Sequence, residues 1–89
     1  MRIPHYTRQF ERDVKLQKKR GKELQKLKEV LRCLAEEKSL AVKNRDHSLS
    51  GDFAGYRECH IEPDWLLIYK LEEGAVYLVR TGTHSDLFD

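Results

Sequence analysis

Eighty-nine residues, 39% hydrophobic and 36% charged, fit one small domain spanning residues 1–89, near the lower size limit for a single core, with no repeats and no linker. Two cysteines exclude a disulfide scaffold, no apolar run approaches the roughly 18 residues of a membrane span, and the opening Met-Arg-Ile-Pro-His-Tyr lacks a signal-peptide core, so a soluble cytoplasmic chain is expected. The net charge of +2 hides an asymmetry: residues 1–45 carry 14 Lys/Arg against 6 Asp/Glu, and residues 46–89 carry 3 against 9, which suits a polyanion or acidic partner or, more blandly, a solvated helix face.

Arg2–Tyr6 reads as a short edge strand, because Pro4 cannot donate to a ladder. Thr7 supplies an N-cap hydroxyl for a first helix whose stripe is Phe10, Val14 and Gln17, with Leu16 beside it. Gly21 ends or kinks that helix. In the second helix Leu24, Leu27, Leu31 and Leu34 recur at spacings of 3, 4 and 3, and Val30 widens the stripe. Fewer than three heptads argue for packing on a sheet over a coiled coil. The polar sides of the two helices carry Lys18, Lys19, Lys22 and Lys26.

Residues 39–54 read as a loop anchored by Leu40, Val42 and Leu49, with turn chemistry at Asp46-His47-Ser48 and Ser50-Gly51-Asp52. Strands are expected at 55–62, 65–71 and 75–81, separated by Glu62-Pro63-Asp64 and Glu72-Glu73-Gly74. Trp65–Tyr69 is apolar on both alternating faces, which suits a central strand. Leu87 and Phe88 are too apolar for a dangling tail. The whole is an α+β domain, with two helices on one face of a mainly antiparallel sheet of about four strands. The other sheet face needs a cover or a use.

Function is suggested by where the polar residues fall. His60 ends one strand, Asp64 opens the next, His84 follows the third, and His47 lies in the loop before them. Strand ends and loops let such groups converge outside a core. Each residue also has a structural reading: His60 as a strand-end histidine, Phe88 as a core plug, Arg57 and Arg80 as partners of Glu58 or other strand neighbours. A zinc site from His47, Cys59, His60, Asp64 and His84 uses permitted ligands, but adjacent Cys59 and His60 point to opposite faces of a strand.

Asp46-His47-x-Leu49-x-Gly51, Gly55-Tyr56-Arg57-x-x-His60-x-x-Pro63-Asp64, Leu67-x-Tyr69 and Arg80-x-Gly82-x-His84-x-x-Leu87-Phe88 together resemble the YafQ branch of the RelE/ParE toxin superfamily. The resemblance covers nearly the whole chain. It implies the toxin of a toxin–antitoxin pair, a ribosome-dependent endoribonuclease that cuts messenger RNA in the decoding site. The implied catalytic set is His47, His60, Asp64, His84 and Phe88, with no metal and no cofactor. The implied partners are a cognate antitoxin, the ribosome and messenger RNA, with operator DNA reached only through the antitoxin and no membrane. On this reading Lys18, Lys19, Lys22 and Lys26 grip ribosomal RNA phosphates. The competing reading is a non-catalytic RNA- or antitoxin-binding module acting as an operator co-repressor.

Metal-free RNA cleavage uses the substrate's 2′-hydroxyl as nucleophile. It needs a base for that hydroxyl, an acid for the departing 5′-oxygen, and positive charge for the phosphorane-like oxygens. Imidazoles serve both proton roles near neutral pH, and Phe88, with no proton to give, suits stacking on a base.

Overall fold

A computed structural model describes residues 1–88. Strand β1 (Ile3–Tyr6) leads into helices α1 (Arg8–Lys19) and α2 (Leu24–Ala35). A tiny strand β2 (His47–Ser48) lies between 3₁₀ turns at Val42–Asn44 and Gly51–Phe53. The chain closes with β3 (Arg57–Glu62), β4 (Trp65–Glu72), β5 (Ala75–Gly82) and a short helix α3 (His84–Phe88). The sheet has five strands in the order β1-β5-β4-β3-β2, all antiparallel except the β1–β5 pair. The fifth strand is β2, drawn from the expected loop and too short to show a period of its own.

Thr7 caps α1 as its chemistry suggests. Its hydroxyl accepts from the Phe10 amide at 3.0 Å and donates to the Val79 carbonyl at 3.0 Å, tying the helix start to β5. The inward face of α1 is Phe10, Asp13 and Gln17, while Leu16 stays exposed. Asp13 takes a place on the expected apolar stripe because its buried carboxylate is satisfied: Arg80 Nε donates at 2.7 Å and the Thr81 amide at 3.1 Å. Gly21, at a φ of +82°, turns the chain from α1 towards α2 in a conformation that favours glycine. Helix α2 buries Leu27, Val30 and Leu34, with Leu24 and Leu31 partly covered.

The main core lies between these helices and one sheet face, where Cys59, Trp65, Leu67, Tyr69, Val76 and Leu78 join Phe10, Leu27, Val30 and Leu34. Trp65 is fully buried, and its indole N–H donates to Thr81 Oγ1 at 2.9 Å. On the opposite face Leu66, Ile68 and Leu87 form a smaller cluster under Leu49, Phe53, Tyr56 and Val79. That cover comes from the loop before β3 and from α3, which is what becomes of the expected tail; Asp89 lies outside the described residues. The cover stops short of one end of the face, and the histidines are there.

Candidate active site

Strand β3 points alternate side chains to opposite faces. Cys59 enters the helix-side core, while Glu58 and His60 stand opposite Ile68 and Leu66 on the other face. Burial pushes the Cys59 thiol up to about 12, so it is an inert core group. Strand β2 pairs His47 with Glu58. The nearly buried Glu58 carboxylate consequently lies between two imidazoles, with Oε1 at 3.4 Å from His47 Nε2 and 3.7 Å from His60 Nε2.

The segment bearing His47 is anchored from several sides. Asp46 accepts from Arg57 at 3.1 and 3.3 Å and from the Tyr69 hydroxyl. Asn44 Nδ2 donates to the His60 carbonyl at 2.7 Å, and Arg45 adopts a left-handed φ of 48°. The Arg45 carbonyl accepts from His47 Nδ1 at 2.7 Å. With Nδ1 protonated, the contact of His47 Nε2 with Glu58 is attractive only when a proton lies between them. His60 faces two acceptors in the same way, the Pro63 carbonyl at 3.2 Å from Nδ1 and Glu58 beyond Nε2.

His84 is arranged differently. Both its amide and its Nδ1 donate to Asp64 Oδ1, at 3.0 and 2.6 Å. These bonds, the backbone one first, hold the Asp64 carboxyl below its ordinary range. They also set the His84 tautomer and leave Nε2 without a partner among the described residues, on a half-exposed ring. The His60 and His84 ring centres are 5.9 Å apart, and those of His47 and His60 are 6.5 Å apart. His47, Glu58, His60, His84 and Asp64 thus run as one row along the open end of the sheet. Phe88 follows His84 by one turn of α3, exposed, its ring edge-on to Phe53 at 5.7 Å.

Four of the five expected site residues are therefore neighbours, and Phe88 extends the helix that carries His84. Glu58 is the member that the sequence reading misses, although its period-two spacing from His60 places both on one face. Arg57 and Arg80 do not pair with Glu58; they hold Asp46 and Asp13. Lys18 and Lys19 sit in the last turn of α1, whereas Lys22 and Lys26 each reach Glu62 at 2.9 Å. Among the described residues no three His, Cys, Asp or Glu side chains converge as a metal cage, and Cys59 lies behind the sheet from His60.

The family model described as the bacterial toxin of a type II toxin–antitoxin system, YafQ, matches residues 2–89. This chain belongs to the YafQ toxin family. The mRNA interferase toxin YafQ of Escherichia coli K12 is 45% identical over 84 residues, covering 93% of this chain and 91% of that protein. YafQ in the crystal structure of the E. coli DinJ–YafQ complex superposes with a TM-score of 0.93 at 43% identity, each chain covered completely. A metal-bound toxin from Helicobacter pylori gives 0.93 at 40% identity over 99% of this chain and all of that one. In this chain the histidine row described above is built on that fold.

Proposed function

We propose that this YafQ-family chain is an endoribonuclease that cleaves messenger RNA on the ribosome by attack of the 2′-hydroxyl on the adjacent phosphorus. The observation that carries the proposal is His84, locked by Asp64 through Nδ1 with no partner on Nε2 among the described residues, its ring centre 5.9 Å from that of His60. A phosphate between these rings meets a proton-transfer group on one side and a donor-rich wall on the other. Asp64 orients His84 through Nδ1, so Nε2 takes a proton from one oxygen or delivers one to another. His47 and His60 have their ring nitrogens on acceptors; when both nitrogens carry protons, they present positive charge to the phosphorane-like oxygens, with Glu58 fixing their orientation. Phe88 offers a face on which a neighbouring base can stack. The complementary proton transfer falls to His60 across the phosphate, so the proton lost by the 2′-hydroxyl and the one gained by the departing 5′-oxygen are both carried by imidazoles of this chain.

Support for the substrate and partner comes from the relatives: one bears the name mRNA interferase, and one is complexed with the antitoxin DinJ. By that likeness this chain has a cognate antitoxin that silences it and carries it to operator DNA. Lys18 and Lys19 supply electrostatic grip on ribosomal RNA.

The test is induced expression of the chain alone, with mapping of messenger RNA 5′ ends. Growth arrest with codon-phased cuts, 2′,3′-cyclic phosphate and 5′-hydroxyl ends, and rescue by the antitoxin is the expected outcome. Normal protein synthesis with folded chain present would favour the non-catalytic co-repressor, and 5′-phosphate ends would overturn the 2′-hydroxyl route.

A further inference from the structure

Three cations at the corner between α1 and α2 are not free. Arg20, at the end of α1, grips Asp86 of α3 with two parallel bonds, Nη1 to Oδ2 at 2.6 Å and Nη2 to Oδ1 at 3.0 Å. Asp86 Oδ2 also accepts from the Thr83 amide at 2.9 Å, and Thr83 Oγ1 accepts from the Asp86 amide at 3.1 Å. This reciprocal pair brackets His84, with Thr83 just before it and Asp86 two residues after. The carboxylate is packed against Gly82, where an added Cβ would lie 2.8 Å from Asp86 Oδ2, so the site is cut to fit it. A few residues on, Lys22, just before α2, and Lys26, in its first turn, hold the two oxygens of Glu62 at 2.9 Å each. Glu62 opens the turn that carries Asp64.

We infer that Arg20, Lys22 and Lys26 are positioning residues for the His84–Asp64 pair, clamping from one helix corner the two separate segments on which that pair is built. The inference rests on the proposal that His84 and Asp64 carry the chemistry. Both of those side chains are exposed and lack apolar packing to locate them. Isolated surface ion pairs contribute little, but here each carboxylate is held by at least two donors and fixes a short turn. The Nδ1–Asp64 bond spans the gap between the two turns, so a shift of either misaims His84 Nε2. Cations already occupied by carboxylates are poor grips for RNA, which separates this trio from Lys18 and Lys19.

The experiment compares Arg20→Gln, Glu62→Gln and Lys18→Gln/Lys19→Gln in single-turnover cleavage, ribosome binding as a function of salt, and nitrogen-15 NMR of the His84 ring at a pH where it is neutral. Arg20→Gln and Glu62→Gln should each slow cleavage roughly tenfold at unchanged ribosome affinity and salt slope. The His84 ring should lose its single Nδ1–H tautomer in both. Arg20→Lys, which keeps the charge but not the fork, should fall between wild type and Arg20→Gln in rate and tautomer. Lys18→Gln/Lys19→Gln should flatten the salt slope and leave the ring signals alone. A flattened slope in Arg20→Gln with His84 unaltered would overturn the inference and make the corner an RNA contact, and so would wild-type rate and tautomer in both single variants. If His84→Ala cleaves normally, the catalytic proposal fails instead; the tautomer readout still reports whether the corner positions the ring.

Discussion

The two faces of the sheet are built for different work. The helix side is closed: ten buried apolar residues meet there, and the buried Asp13 and Thr81 are bonded to each other within the fold. The outer side buries only Leu66, Ile68 and Leu87 under a loop and a short helix, and leaves its far end to His47, Glu58, His60, Asp64 and His84. One face supplies the free energy of folding, and the other uses the resulting rigidity to hold polar groups at fixed separations. In a domain this small, apolar area spent on one face is not available to the other, so the outer groups are located by hydrogen bonds and ion pairs.

That division implies a contrast in mutational effects. Trp65→Ala removes a fully buried ring from the closed face and should cost about 3–5 kcal/mol, seen as a lower denaturant midpoint and loss of all activities together. His84→Ala on the open face should slow single-turnover cleavage by about 100- to 10,000-fold while the melting temperature and ribosome affinity hold. Unfolding of the His84 variant at room temperature would erase the contrast and make that residue structural.

Phe88→Ala should give a smaller loss of rate than His84→Ala, because it misplaces a base without removing a proton carrier. Phe88→Trp should recover part of that loss. Single-turnover rates for the three variants sharpen the comparison by separating stacking from proton transfer.

An acid titration offers a still finer test. The Arg20 guanidinium, followed by the Thr83 amide, holds Asp86 well below the ordinary carboxylate range. A depressed carboxylate contributes stability that is complete above its unfolded pKa, about 3.9, and is lost as pH falls through its folded value. Thermal melts of wild type and Asp86→Asn should therefore differ fully near neutral pH, and the difference should begin to shrink only as pH falls below about 3.9 and continue shrinking towards the depressed folded value. A difference that grows on acidification would contradict the pairing.

At the small end, Lys18→Gln/Lys19→Gln should lower the salt slope of ribosome binding by roughly one unit for each phosphate that is no longer neutralised. Unchanged binding would reduce these lysines to solvated surface.

Local pattern in the chain was enough to specify much of this protein. Leucines at helical spacing, an apolar run between Pro63 and Gly74, and the turn residues around them define α2 and the β3–β5 meander, because periodicity is a property of neighbours. The motif combination pointed to the family and to five candidate site residues, four of which lie at one end of the sheet. Tertiary structure alone decided what those residues meet. The parallel seat of β1 beside β5 and the two-residue β2 come from pairing with distant strands, which leaves no local trace. Pairing also put Glu58 between His47 and His60. The basic stretch of residues 18–26 looks uniform as sequence, yet Arg20 meets Asp86, Lys22 and Lys26 meet Glu62, and Lys18 and Lys19 have no such ion pair among the described residues. Charge is written residue by residue, but its partner is chosen by distance in the folded chain, and the 66 positions separating Arg20 from Asp86 carry no sign of the bond that joins them.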